Sequence, residues 1–157
     1  MEQTNSFYNG KTLLICGFPG IGKSFIKDEL RYPVFDSDSS KFSKTNFPQN
    51  YVSKIKDTIS KYPTSEIILV STHEVVRKEL REQGLEYILV YPKKESLQDY
   101  LVRYYNRGSS TSFIDLVKKN WNKFIESCEE DPSNTHYCLN GNQYLSDIFK
   151  EIIQKGI

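Results

Sequence analysis

The chain has 157 residues, which suits a single domain with a substantial core and is short for two domains. Apolar residues make up 38% and charged residues 26% of the sequence, so the composition excludes an intrinsically disordered chain. The formal net charge is +1, from 21 lysines and arginines against 20 aspartates and glutamates, and this near-neutrality disfavours a surface dedicated to nucleic acid while leaving a local basic groove open.

Short apolar runs alternate with segments of helical periodicity, a pattern typical of a parallel sheet covered by helices. The apolar runs predict strands at residues 12–16, 34–35, 67–70, 87–91 and 137–139. The helical spacing predicts helices at residues 23–31, 52–59, 74–83, 97–104, 113–128 and 145–153. We therefore predict one α/β domain over residues 1–157, with about five parallel strands and helices on both faces.

The first predicted strand runs into a glycine-rich segment that opens a helix. Residues 17–24 read GFPGIGKS and match the phosphate-loop pattern G-x-x-x-x-G-K-[ST] in that context. Glycines allow successive backbone N–H groups to surround phosphate oxygens, while Lys23 would reach the β- and γ-phosphates and Ser24 would ligate magnesium. The segment therefore predicts a P-loop NTPase that binds ATP and Mg²⁺. The predicted nucleotide-binding residues are Gly17, Gly20, Ile21, Gly22, Lys23, Ser24 and Phe25.

Two carboxylates follow the short second strand, whereas the central apolar run ends in Ser71, Thr72 and His73. Motor ATPases and switch GTPases usually carry an aspartate after that central run. Carboxylates after the second strand are typical of kinases that activate an acceptor hydroxyl. We predict Asp38 as the general base and Asp36 on the magnesium side, the alternative being a turn or helix cap at this segment.

Arg103 and Arg107 lie four positions apart on one predicted helix, so they project from the same face. Gly108, which follows directly, would allow a hinge. Mobile arginines that close over a transferring phosphoryl group stabilise its charge. The pair therefore predicts a helical lid, with a solvated helix face as the alternative.

Taken together, these segments resemble the kinase domain of phage-type polynucleotide 5′-kinases, within the adenylate-kinase-like group of P-loop kinases. The resemblance runs approximately from Lys11 to Trp121 and rests on four short segments, GFPGIGKS, DSDSSK, STH and RYYNRG. The Asp-x-Asp pair is also similar to that of shikimate- and gluconate-type kinases. The layout further resembles small phage kinases that act on nucleotides or on hydroxymethyl-pyrimidines in DNA, so the acceptor stays open.

The resemblance implies roles for individual residues. Asp38 falls on the general base, and Thr72 on a threonine that contacts the acceptor. Lys41 occupies the position of an arginine that binds the acceptor's phosphate, although lysine lacks the bidentate fork of arginine. Arg103 and Arg107 match the lid arginines.

Three other segments have both a functional and a structural interpretation. His73 ends a strand, where it could contact substrate, but we expect a capping or hydrogen-bonding role. Arg77 is expected to pair with Glu74, one turn away. The turn at residues 140–142 lies where this group of kinases often passes a loop around adenine, and it is equally an ordinary turn.

The cellular setting follows from what the sequence lacks. The polar residues after Met1 have no basic start or apolar stretch, so we expect no signal peptide. No apolar run approaches the roughly 20 residues that span a bilayer. Cys16, Cys128 and Cys138 lack metal-ligand spacing, and we expect buried, reduced thiols. A cytoplasmic protein without membrane contact is predicted, in the host cytoplasm if the source is viral.

Three functional hypotheses result. The first is an ATP-dependent phosphotransferase that acts on a nucleoside, nucleotide or similar acceptor. The second keeps this chemistry with a polynucleotide or DNA-base acceptor, and would need a basic groove near Lys41, Lys44 and Lys54. The third is a nucleotide-binding regulatory module with little turnover.

Overall fold

The computed structural model of the chain describes residues 12–29, 34–36, 42–61 and 67–155. The strands are β1 (Leu13–Gly17), β2 (Val34–Asp36), β3 (Ile67–Ser71), β4 (Ile88–Pro92) and β5 (His136–Leu139). The helices are α1 (Lys23–Glu29), α2 (Gln49–Lys61), α3 (Glu74–Glu82), α4 (Leu97–Asn106), α5 (Thr111–Glu129) and α6 (Leu145–Lys155), with a short 3₁₀ helix, Lys94–Ser96, before α4.

The strands form one sheet in the order β2-β3-β1-β4-β5, and every neighbouring pair is parallel. β1 lies at the centre, where Ile15 is in register with Leu69 of β3 and Ile88 of β4. All residues of β1 and β4 are buried, as expected of strands covered on both faces. The α/β class and the parallel sheet expected from the sequence are confirmed.

The order of the strands creates a crevice at one edge of the sheet. β1 and β4 are neighbours, but the chain continues from β1 to β2 on one side and from β4 to β5 on the other. Such a reversal opens a crevice beyond the carboxyl ends of the two strands, where open α/β sheets bind their ligands. The glycine-rich segment leaves β1 at this edge.

Helices bury apolar stripes against the sheet. Val117, Trp121, Ile125 and Cys128 repeat at helical spacing along α5 and are all buried. Ser110 begins this helix, because its hydroxyl accepts a hydrogen bond from Phe113 N at 3.1 Å. Within the described ranges, no helix is long and apolar enough to cross a membrane.

The cysteines differ in part from the expectation of buried thiols. Cys16 and Cys128 are buried, and burial raises the pKa of each thiol. Cys138 is exposed, so the expectation is wrong at this position. Cys138 lies in β5, the edge strand of the sheet, where it is the one exposed residue of the strand.

Candidate functional site

The glycine loop (residues 17–24) is held at the carboxyl edge of the sheet by backbone hydrogen bonds. Phe18 N donates to Val90 O of β4 at 3.0 Å, and Ile21 N donates to Phe18 O at 3.2 Å. Leu145 N, the first residue of α6, donates to Ile21 O at 2.7 Å. The loop is therefore fixed to the neighbouring strand and to the last helix.

Positions 20 and 22 require glycine for two reasons, the backbone conformation there and the lack of room for a side chain. Their φ angles are +93° and +98°, in the region that side chains disfavour. A β-carbon at Gly20 would lie 2.9 Å from Cε1 of Tyr104, and one at Gly22 would lie 3.2 Å from Cδ2 of Tyr144. The sequence pattern predicted the glycines but not the tyrosine rings that cover them.

Lys23, Ser24 and Phe25 occupy the first turn of α1 and face a common cleft. Lys23 Nζ donates a hydrogen bond of 2.6 Å to Gly17 O, at the start of the loop. Ser24 and Phe25 are exposed, with 53% of Phe25 accessible. The predicted nucleotide-binding residues thus lie together at one end of the sheet.

The cleft has a volume of about 1170 Å³, somewhat above the roughly 300–1,000 Å³ usual for small-molecule sites. The glycine loop forms its floor, α4 forms one wall, and the turn between β5 and α6 (the β5–α6 turn, residues 140–144) forms another. Its lining includes Gly20, Gly22, Lys23, Ser24, Phe25, Ser71, His73, Asp99, Val102, Arg103, Asn106, Arg107, Phe113, Gly141, Asn142 and Tyr144.

The end of β3 closes one side of the cleft. Ser71 and His73 line it, whereas Thr72 between them is half-buried, with its carbonyl accepting a hydrogen bond of 2.8 Å from Arg77 Nε. Contact between Thr72 and an acceptor stays a prediction. His73 is the N-cap residue of α3, but within the described part of the chain its side chain forms no capping hydrogen bond, so the capping expected of the side chain is wrong.

The His73 ring lies in an environment that favours its neutral form. Partial loss of solvation lowers the pKa of His73, and the charges of Lys23 and Arg77 lower it further. The ring also packs edge-on against Phe47, with 6.1 Å between centroids. This contact joins the segment before α2 to the cleft.

Arg103 lies at the cleft, but its guanidinium already donates hydrogen bonds to the backbone of the protein. Nη1 donates to Gly20 O at 2.8 Å, and Nη2 donates to Gly141 O at 2.9 Å and to Gln143 O at 2.7 Å. The same group lies over the rings of two tyrosines. This arrangement differs from the open lid arginine that the helical spacing suggested.

Arg107 is more open than Arg103, although both line the cleft. Arg107 follows the last residue of α4, and its Nε donates to Ser109 Oγ at 3.0 Å. Its guanidinium lies 5.1 Å from the centroid of the Tyr104 ring, and the residue is exposed. Gly108, with φ of +80°, makes the turn into α5. The two predicted lid arginines therefore have different surroundings.

The predicted acceptor side is described only in part. Asp36 ends β2, in register with Leu69 of β3, at the same edge of the sheet as the glycine loop. Its side chain, and the whole of Asp38 and Lys41, lie outside the described residues. Their roles as magnesium-side residue, general base and phosphate contact stay predictions.

A buried charge network, missed by the sequence analysis, lies behind the end of β3. Arg77 is only 3% exposed, and its Nη1 contacts Asp131 Oδ2 at 2.7 Å. Arg77 therefore does not pair with Glu74 as expected, because its side chain turns inward while Glu74 is exposed. Arg81 and Tyr87 also bind Asp131. Since Arg77 holds the carbonyl of Thr72, the network supports one side of the cleft.

The surroundings of Asp131 favour its ionised form. Burial alone would raise the pKa of this carboxyl group, but hydrogen bonds from Ser133 N, Arg77 and Tyr87 hold it below its ordinary value. Both carboxylate oxygens of Asp131 therefore accept hydrogen bonds. Nothing in the residue types around Asp131 and Pro132 distinguishes this site from an ordinary loop.

Comparison with known proteins does not assign the chain to a family. No protein-family model matches it, and no curated protein matches it in sequence. Among the described residues, no group of three or more His, Cys, Asp or Glu could hold a metal ion. The case for a function therefore depends on the geometry of the cleft.

Proposed function

We propose that this protein is a P-loop kinase, which transfers the γ-phosphoryl group of ATP to a nucleoside, nucleotide or similar acceptor. One observation carries the proposal. A glycine loop with the phosphate-loop sequence leaves the central strand at the reversal of strand order, and its Lys23 and Ser24 face a cleft of about 1170 Å³. The α4–α5 corner beside that cleft would then serve as the helical lid.

The chain's own groups suit the phosphates of a nucleotide. The positive φ angles of Gly20 and Gly22 suit a loop whose backbone N–H groups turn toward an anion. Lys23 Nζ lies at the start of the loop, where it donates a hydrogen bond to Gly17 O. From this position it would bind the β- and γ-phosphates, as the lysine of the phosphate-loop pattern does in nucleotide enzymes.

Magnesium fits the same part of the cleft. The exposed Ser24 hydroxyl faces the phosphate end, and Mg²⁺ in nucleotide enzymes binds through one or two protein oxygens together with phosphates and water. A dedicated cluster of protein ligands is not needed for this mode. When bound, the ion neutralises charge on the β- and γ-phosphates.

The remaining walls divide into a base side and an acceptor side. The exposed rings of Phe25 and Tyr144 offer apolar surface to a nucleobase beside the β5–α6 turn. Ser71 and His73 lie at the other side, toward the end of β2, where Asp38 would accept the proton of the attacking hydroxyl. Arg107 would stabilise the charge of the moving phosphoryl group.

Calorimetric titration with ATP, with and without magnesium, tests the nucleotide site. We expect saturable binding that Lys23→Met weakens by tenfold or more, which corresponds to about 1.4 kcal/mol, while both proteins unfold at similar denaturant concentrations. Binding that is unaffected by Lys23→Met would contradict the proposed phosphate site. Binding without turnover on any acceptor would favour the regulatory module.

A polynucleotide acceptor is the second candidate. Lys44 and Lys54 are both exposed, and the Phe47–His73 contact joins their segment to the cleft. If these lysines contact phosphates, affinity for a 5′-hydroxyl oligonucleotide should fall with salt, and Lys44→Ala/Lys54→Ala should reduce the slope by about 1.4 for a single strand. An unchanged slope would favour a small acceptor.

A further inference from the structure

Arg103 joins three segments that are far apart in the chain. It projects from α4 and donates hydrogen bonds to Gly20 O of the glycine loop and to Gly141 O and Gln143 O of the β5–α6 turn. All three distances lie between 2.7 and 2.9 Å, in the range of charge-assisted hydrogen bonds. A single guanidinium thus spans the floor and one wall of the cleft.

Two aromatic rings enclose the guanidinium. Its central carbon lies 4.2 Å from the centroid of the Tyr100 ring and 3.7 Å from that of the Tyr144 ring, close enough for strong cation–π contacts. Tyr144 in turn packs against Gly22. The geometry needs a flat cation with several donors, which arginine provides and lysine does not.

The two segments that Arg103 joins would bind different parts of one ligand. Under the proposed function, the glycine loop binds phosphates and the β5–α6 turn lies beside the nucleobase. To reach a phosphate itself, Arg103 would have to release three carbonyl acceptors and leave both rings. Arg107, whose hydrogen bond is to a side-chain hydroxyl on the surface, gives up much less.

We propose that Arg103 is a positioning residue that sets the separation between the glycine loop and the β5–α6 turn, and that Arg107 is the arginine that contacts the transferring phosphoryl group. The proposal rests on the proposed function. It assigns Arg103 a role different from the one that the helical spacing predicted. Arg103 would then affect nucleotide binding only by positioning these two segments, without contacting the nucleotide itself.

Binding of two ligands separates the roles. ATP needs the glycine loop and the β5–α6 turn at the correct separation, whereas inorganic tripolyphosphate needs only the groups that bind phosphate, which are the loop and Arg107. We expect Arg103→Met to weaken binding of magnesium–ATP about tenfold or more and binding of magnesium–tripolyphosphate less than about twofold. Arg107→Met, the matched control, should weaken both ligands by the same factor.

Arg103→Lys is the second variant, and it covers the case in which Arg103→Met does not fold. Lysine keeps the charge and the stem but not the fork, so the ATP-selective loss should persist. Equal losses for ATP and tripolyphosphate in either Arg103 variant, or full rescue by lysine, would overturn the proposal. If the wild-type protein binds neither ligand, the proposed function itself fails, and the proposal with it.

Discussion

The hydroxyl of Tyr104 donates a hydrogen bond of 2.7 Å to the carbonyl oxygen of Pro19. Tyr104 is fully buried, and the edge of its ring lies against Gly20. Helix α4 therefore supports the glycine loop from below through a side chain that no nucleotide would contact. The shape of the loop depends on tertiary packing as well as on its glycines.

Tyr104→Phe removes this hydrogen bond and keeps the ring. Because the Pro19 carbonyl loses its partner, we expect the free energy of unfolding to fall by about 1 kcal/mol and affinity for ATP to weaken. Urea denaturation and calorimetry measure the two effects. Tyr105→Phe is the matched control, since Tyr105 is 77% exposed on the same helix. Equal effects of the two substitutions would contradict a specific role for Tyr104.

Gly20→Ala tests the crowding of the loop. The added methyl group meets an unfavourable φ and lies 2.9 Å from the Tyr104 ring, so we expect a loss of about 3 kcal/mol in stability. Gly84 has φ of +75°, and no described residue beyond its chain neighbours has an atom within 4 Å of its β-carbon position. Gly84→Ala should therefore cost only about 1 kcal/mol. Similar losses at both glycines would show that the ring contact contributes nothing.

His73 should titrate below its ordinary pKa of 6.5, because loss of solvation and then the Lys23 and Arg77 charges disfavour its charged form. Lys23→Met should raise the pKa of His73 part of the way back, whereas Lys118→Met, on an exposed lysine of α5, should leave it unchanged. Proton NMR titration resolves the two histidines of the chain, and His136→Gln assigns them. If the pKa of His73 were the same in Lys23→Met as in the wild-type protein, the Lys23 ammonium could not lie close to the His73 ring.

The lowered pKa of His73 also makes the stability of the protein depend on pH. The folded state binds a proton at His73 less readily than the unfolded state does. Stability should therefore fall as the pH drops from 6.5 through the lowered pKa of the folded state. Denaturation of His73→Gln, which does not titrate, should lack this part of the pH dependence.

Asp131→Asn should destabilise the protein by about 3 kcal/mol at neutral pH, because it leaves the buried Arg77 cation without its partner. The pKa of Asp131 is lower in the folded state than its ordinary value of 3.8. Its contribution is therefore complete above pH 3.8 and is lost as the pH falls through the folded-state pKa. Urea midpoints of the variant should fall less steeply below pH 3.8 than those of the wild-type protein.

The control for this prediction is Asp115→Asn, at an exposed position of α5. It should change neither the stability at neutral pH nor the acid dependence. A small loss in Asp131→Asn, close to that of the control, would contradict this prediction. It would show that the hydrogen bonds of Arg77 to Thr72 and Ser127 are enough to hold the buried cation.

Local patterns predicted the sheet and the glycine loop because each is encoded by neighbouring residues. The buried run at residues 67–70 and the helical stripe of α5 needed only the period of the apolar side chains. The glycine loop needed only residue types at fixed spacing.

Contacts between distant residues were not predictable in the same way. Arg77 and Asp131 are 54 positions apart, and an arginine beside a nearer glutamate made a local pair the simpler expectation. Arg103 binds backbone carbonyls 38 to 83 positions away. Every residue type carries such a carbonyl, so these acceptors leave no mark in the sequence.

Transfer of labelled phosphoryl from γ-labelled ATP with magnesium tests the kinase proposal most directly. The acceptors are nucleosides, nucleoside monophosphates, 5′-hydroxyl oligonucleotides and hydroxymethyl-pyrimidine DNA, with Lys23→Met and Asp38→Asn as inactive variants and Asp115→Asn as the active control. We expect label on one acceptor class, lost in both inactive variants. ATP binding with no transfer across the panel, or transfer that persists in Asp38→Asn, would contradict the proposed chemistry.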